Sequence, residues 1–186
     1  MKIEDNLYTK NNIKTSLIQF MEDYGPVLGR DFGEYYAQKL RNIRGKQINR
    51  TIHRNAPAPM SLVQIFNDIR ERIVRVMKNK PRRKALHSAT VFEKHRMIYL
   101  HQIKTLLMVR DISAIIYTFH CKRRNEIEQH DLLLTYNRIQ EQIVKDESKH
   151  KKYERMTRDL HHIALLPNLI PIPKDVINTC IKPYLC

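Results

Sequence analysis

Apolar residues recur at helical spacing along most of the chain. Leu62, Ile65, Phe66, Ile69, Ile73 and Val76 follow one another in steps of three and four, an amphipathic stripe. Ser61 stands in front of it as a candidate N-cap, and Pro81 predicts that the helix has ended by then. From about Ser88 to Arg123 neither Gly nor Pro occurs. Phe92, Tyr99, Ile103, Leu106, Leu107, Val109, Ile112, Ile116 and Phe119 trace a broad face there. This predicts one long helix, or two joined by a kink, buried on more than one side. Ile127 to Leu160 is also free of Gly and Pro, with Leu132, Leu133, Tyr136, Ile139 and Ile143 as its stripe. After Val144 charged residues dominate, which predicts a solvated helical extension.

The two ends read differently. Residues 1–13 are polar and predict a flexible tail. Ser16 to Tyr24 is the first helical stretch, with a break at Tyr24-Gly25-Pro26. Pro26 suits the first turn of a second helix reaching about Arg44, with Val27, Phe32, Tyr35, Tyr36 and Leu40 as its apolar face and Gly45 as terminator. Residues 46–59 form a polar connector ending in Asn55-Ala56-Pro57-Ala58-Pro59. The run Leu165-Leu166-Pro167-Asn168-Leu169-Ile170-Pro171-Ile172-Pro173 is too rich in proline for helix and predicts an extended linker. Lys174 to Leu185 is a short turn of helix or a strand. The expected organisation is a tail (1–13), a helical bundle domain (14–164), and a linker with a short C-terminal segment (165–186). The fold class is mostly α, a bundle of four to five helices.

Charge narrows the partners. The 186 residues hold 34 Lys and Arg against 19 Asp and Glu, a net +15. Such a chain has polyanions or acidic proteins as neighbours. The basic residues gather at Lys78-Asn79-Lys80-Pro81-Arg82-Arg83-Lys84, at Lys122-Arg123-Arg124, and at Lys149-His150-Lys151-Lys152 with Arg155 and Arg158. Phosphate contact by these runs would be salt-sensitive and sequence-independent, whereas a solvated helix end explains them equally well. The first run lacks the interleaved aromatics of a base-stacking platform. No apolar run approaches the ~20 residues that span a bilayer, and the polar N-terminus has no signal-peptide core. An intracellular protein without membrane partners is expected. Cys121, Cys180 and Cys186 form no CxxC pair, and Cys186 has no CaaX setting.

Candidate chemistry is weak. His120 and Cys121 are adjacent, and adjacent helical side chains diverge by about 100°, so they form no dyad with each other. His130 with His161-His162 lacks the HxxxH or HExxH spacing of a metal site. Asp68 with Glu71, and Glu126 with Glu128, read as solvated or Arg-paired carboxylates. Ser61, Ser88 and Ser113 have no GxSxG context, and neither GxGxxG nor GxxxxGK[ST] occurs. The expectation is a protein that is not an enzyme and holds no metal or cofactor.

The order of segments carries a further suggestion. Tyr24-Gly25-Pro26-Val27-Leu28-Gly29 comes first, then the Pro59–Arg75 helix with its repeated Ile and Arg. Glu93-Lys94-His95-Arg96-Met97-Ile98-Tyr99-Leu100-His101-Gln102-Ile103-Lys104 follows. Asn125-Glu126-Ile127-Glu128-Gln129-His130-Asp131-Leu132-Leu133-Leu134-Thr135-Tyr136 is next, and Leu169-Ile170-Pro171-Ile172-Pro173-Lys174-Asp175-Val176 is last. Over roughly residues 20 to 182 this series resembles the first partner-of-Sld-five subunit of the GINS complex. The resemblance implies a nuclear, non-catalytic scaffold subunit of the GINS heterotetramer. Its partners would be the other three GINS subunits and, through the assembled complex, the MCM ring and the Cdc-forty-five protein of the CMG helicase, with DNA contacted mostly indirectly. It implies a small β domain after the linker, which here would be a short, truncated segment. It also gives the two-sided long helix a reason, one side facing its own bundle and the other the sister subunits. Where the family has several consecutive arginines before a tyrosine, only Lys94 and Arg96 stand here, and Ile98 replaces the usual Ala. The candidate core or interface residues are Tyr24, Leu28, Arg96, Tyr99, Leu100, Ile103, Leu107, Leu133 and Tyr136. An ion pair between Arg96 and a neighbouring carboxylate would set helix order. The competing readings are a basic nucleic-acid-binding protein with a histone-like fold, suggested by His120-Cys121-Lys122-Arg123 ahead of Ile127 and Asp131, and a basic adaptor.

Overall fold

The structure is a computed structural model and describes residues 2–43, 62–78, 90–165 and Thr179. Those residues are mostly helical, and no strand occurs among them. After a single 3-10 turn at Ile3–Asp5 come six α-helices: α1 (Leu7–Lys10), α2 (Ile13–Leu28), α3 (Arg30–Asn42), α4 (Leu62–Lys78), α5 (Val91–Arg123) and α6 (Glu126–Leu165). Four to five helices were expected; the 3-10 turn and α1 lie in the first thirteen residues, which read as a tail. Ser61, Gly45, the basic run Lys80–Lys84, the proline-rich linker after residue 165 and the C-terminal segment expected as β lie outside the described residues, apart from Thr179.

The chain divides into two compact units, Met1–Lys78 with Thr105–Gln142, and Asn79–Lys104 with Ile143–Cys186. Helices α5 and α6 contribute a stretch to each.

In the first unit the N-terminal residues are not a tail. Ile3, Tyr8 and Ile13 are buried, and so is the side chain of Asn6. The polar positions between them supply caps. The Asn6 side chain accepts from the Tyr8 N–H, and Asn12 accepts from the Thr15 N–H, each replacing a bond that a helix start leaves open. A low apolar content concealed three residues at positions that all point inward.

The expected break at Gly25-Pro26 is also displaced. Pro26 sits inside α2, near its C-terminal end, where it removes only the bond its N–H would give to the Glu22 carbonyl. Gly25 in front of it has no Cβ to clash with the proline ring. The chain turns instead at Gly29, whose φ of 110° suits glycine. A Cβ there would also lie 2.5 Å from the Arg72 guanidinium. That guanidinium donates from Nε to the Leu28 carbonyl and lies 5.6 Å from the centre of the Phe32 ring. Arg72 of α4 thus caps the negative end of α2. Helices α2 and α3 then run close together, with the Gly33 and Gly25 backbones in near contact.

The stripe of α4 is buried as expected, from Leu62 through Val76. It packs in one core with Phe20, Met21, Leu28, Leu40, Met108, Ile112, Ile115, Ile116 and Phe119. Phe66 and Phe119 meet edge to face at 5.4 Å. Tyr35, expected on the apolar face of α3, is exposed, because Tyr36 and Leu40 take the inward positions. Helix α5 is a single run of 33 residues. It begins with a reciprocal cap: the Thr90 N–H donates to Glu93, and the Glu93 N–H donates to the Thr90 hydroxyl. It ends with Arg124 in the left-handed region at φ 55°, while the Asn125 N–H reaches back to the His120 carbonyl.

Three buried or half-buried tyrosines of this unit each donate to a carboxylate: Tyr8 to Asp23, Tyr24 to Asp111 and Tyr36 to Asp68. Burial, then the carboxylate each faces, pushes all three hydroxyls well up from their ordinary value near 10. Unfolded tyrosine ionises near pH 10 while these folded ones keep their protons. Their contribution to stability is therefore complete below about pH 10 and falls as pH rises beyond it. Urea titrations followed by circular dichroism should show little change from pH 8 to about 9.5 and a steep loss above about 10. Replacing any of the three with Phe should flatten that slope.

Candidate interaction surface

The candidate residues separate between the two units. Tyr24, Leu28, Leu107, Leu133 and Tyr136 belong to the first, Arg96, Tyr99, Leu100 and Ile103 to the second.

In the first unit they serve the core. Leu28 is fully buried. Leu107 is half-buried, and Leu133 packs with Ile3, Ala114 and Tyr136. Tyr136 is fully enclosed, and its hydroxyl has no hydrogen-bond partner among the described residues. Tyr24 belongs to a polar cluster that the sequence reading missed. Its centre is Asp111 on α5, 2% exposed. The Asp111 carboxylate accepts from the Tyr24 hydroxyl at 2.5 Å, the Asn6 side-chain amide at 3.1 Å and Arg110 Nε at 2.8 Å. Arg110 also donates to the Gln140 side chain at 3.3 Å. Four parts of the unit are joined through one carboxylate: the N-terminal segment, α2, α5 and α6. A signal was present in the sequence. Asp111 is the single carboxylate in the apolar stretch from Leu106 to Phe119, where an acid needs a buried donor.

The second unit is more exposed. Among the apolar residues of Val91–Lys104 only Ile103 is buried; Phe92, Met97, Ile98 and Tyr99 are half-buried, and Val91 and Leu100 are exposed. Tyr99 is held by rings. It stacks on Tyr153 of α6 at 5.7 Å between centroids and 13° between planes. Tyr153 also stacks on His95, at 4.8 Å and 16°, and meets Phe92 at 6.3 Å. The Lys149 ammonium lies 5.4 Å from the centre of the Tyr99 ring. His95, Tyr99 and the α6 pair Lys149 and Tyr153 are spaced four apart, so each helix presents its members on one face. Arg96 makes no ion pair among the described residues, and the expected helix-ordering pair is not found there. Within this unit's helices Glu93 pairs with His161 at 3.9 Å, a contact that needs a protonated histidine.

His120, which forms no dyad with Cys121, is partly enclosed, and burial pushes its pKa down. Its Nδ1 has no partner among the described residues. Cys121 beside it is a free thiol. Among the described residues no group of His, Cys, Asp and Glu has metal-binding geometry, and no helix is long and apolar enough to cross a membrane. A recess of about 650 Å³ in the first unit lies over the Gly25–Gly33 approach of α2 and α3, between Glu22, Arg30, Glu34 and Arg41. No family model, no curated protein and no solved structure matches the chain.

Proposed function

We propose that this chain is a non-catalytic scaffold subunit of a GINS-type heterotetramer, acting within a CMG-type replicative helicase in the nucleus. One observation supports the scaffold part above others. The first half of α5 carries apolar side chains around much of its circumference, and only Ile103 of them is buried. A helix that is apolar on several sides calls for a second covering layer. Met97 and Leu100 point to one side of Tyr99, and Val91 and Ile98 to the other, at about 100° per residue. Sister subunits packed on these sides would remove that surface from water, at about 25 cal/mol for each Å². The GINS part rests on the ordered segments from Tyr24 to Val176 and on the mostly helical chain.

The role so proposed is mechanical. The long helices α5 and α6 hold surfaces in register for partners, and no residue transfers a group or a proton. The net +15 would be balanced by acidic sister subunits.

Leu100, 40% exposed, gives the sharpest single-residue test. Leu100→Asp should leave the helix content of the isolated chain unchanged. It should weaken capture of the sister subunits by about tenfold or more, because a carboxylate would be buried in the apolar contact. Equal co-purification of the variant and the parent chain counts against this face as the interface.

A further inference from the structure

The second unit holds a feature that scaffolding does not use. Its two segments, Asn79–Lys104 and Ile143–Cys186, contain 15 Lys and Arg against 6 Asp and Glu, a net +9 of the chain's +15. Lys145, Lys149 and Lys152 follow at steps of four and three, so they form one row along α6. All three are exposed, and none has an ion pair among the described residues. The row spans about 10 Å at 1.5 Å per residue. Carboxylates of the same stretch mostly lie elsewhere. Asp146 is buried, and Glu147 and Glu154 fall on the far side of the helix at about 100° per residue. Asp159 follows beyond the end of the row.

The row runs beside the ring stack. Lys149 lies over Tyr99, Tyr99 stacks on Tyr153, and Tyr153 stacks on His95. His95 is exposed and forms the solvent-facing member. The first basic run showed no aromatic interleaving along the sequence; in the second, Tyr153 stands between Lys152 and Arg155, and folding brings the α5 rings against it and against Lys149. Cations beside pre-stacked, partly exposed rings suit a ligand with both phosphates and flat bases. An acidic protein surface would use the lysines and leave the rings without a purpose.

We propose that Lys145, Lys149 and Lys152, with His95 at the exposed end of the Tyr99–Tyr153 stack, bind single-stranded nucleic acid. The lysines contact successive phosphates, and an unpaired base stacks against His95. A duplex, whose bases are already stacked on one another, engages only the lysines. This surface is separate from the Leu100 and Met97 side of α5, so it stands whether or not the sister subunits bind there.

The test uses the full chain and fluorescence anisotropy. The probes are a labelled oligothymidylate of about 20 nucleotides and a labelled duplex of the same length, titrated between about 50 and 200 mM salt. The single strand should bind more tightly than the duplex. Changing Lys145, Lys149 and Lys152 together to Ser should reduce the slope of log affinity against log salt by about 2 on the single strand, at about 0.7 per phosphate contact. A control triple, Lys10→Ser, Lys122→Ser and Arg138→Ser, removes equal charge from exposed positions of the first unit and should change the slope by less than about 1. His95→Ala should cost about tenfold on the single strand and nothing on the duplex. Since the three lysines are exposed, their variant keeps the fold, as its circular dichroism spectrum will show. Equal losses from the two triples would overturn the proposal, as would a His95→Ala variant that binds the single strand unchanged. Binding to polyaspartate without binding to oligothymidylate would overturn it too, and would assign the surface to an acidic protein.

Discussion

Asp111→Ala should destabilise the first unit by about 3 kcal/mol, among the largest losses available from one side chain in this chain. The carboxylate is almost wholly enclosed and satisfies three donors at once, from Tyr24, Asn6 and Arg110. Alanine leaves the Tyr24 hydroxyl and the Asn6 amide without an acceptor. It also leaves Arg110, whose side chain is 18% exposed, with only Gln140. Unsatisfied buried donors cost about 1–3 kcal/mol each, and Arg110 recovers part of its loss by reaching water. Asp111→Asn keeps an acceptor of nearly the same shape and removes the charge, so it should cost only about half as much. Urea unfolding of both variants checks this. A loss below about 1 kcal/mol for the alanine variant would show that the cluster does not join the N-terminal segment to α5.

Gly33→Val should cost about 3 kcal/mol for a different reason. A Cβ at this position would lie 2.8 Å from the Gly25 Cα and 3.1 Å from the Met21 carbonyl oxygen. Both obstacles are backbone, so no rotamer change relieves them, and α2 and α3 must separate. The gain in helix propensity over glycine, a few tenths of a kcal/mol for valine, does not offset that. Separation also weakens the packing of Met21 and Ala37 beside the contact. Glu34→Val, one residue along on the exposed side, should change stability by less than about 0.5 kcal/mol. Thermal melts of the pair provide the comparison, and equal midpoints would contradict the close approach.

What the sequence disclosed follows from the physics of periodicity. The α4 stripe from Leu62 to Val76 could be read because each apolar residue faces a single core, and all six are buried. The breadth of α5 could be read for the same reason, since apolar residues on several sides leave their mark in the sequence. The break between α2 and α3 was misplaced because Gly-Pro is a strong local signal. Here Pro26 falls close enough to the helix end to cost one bond, while Gly29 makes the turn that Arg72 closes from another helix. The N-terminal residues were misread for want of periodicity. Ile3, Tyr8 and Ile13 are too far apart to form a stripe, and each reaches the core from a separate turn. Of the candidate core or interface residues, Tyr136 is fully enclosed, and Tyr24 is half-buried with its hydroxyl on Asp111. Leu100 proved exposed. Arg96 has no ion pair within the described residues. Asp111 and the stack of His95, Tyr99 and Tyr153 were not foreseen, because both depend on residues brought together from distant parts of the sequence.

The central proposal is assembly into a GINS-type scaffold. Co-expression with the other three GINS subunits, followed by size-exclusion chromatography with light scattering, tests it most directly. The scaffold account predicts a soluble complex of equal stoichiometry that does not form when this chain is left out. A chain that elutes alone, soluble and monodisperse, in the presence of those subunits would contradict it. The lysine row and the ring stack would then be tested as the chain's own binding surface.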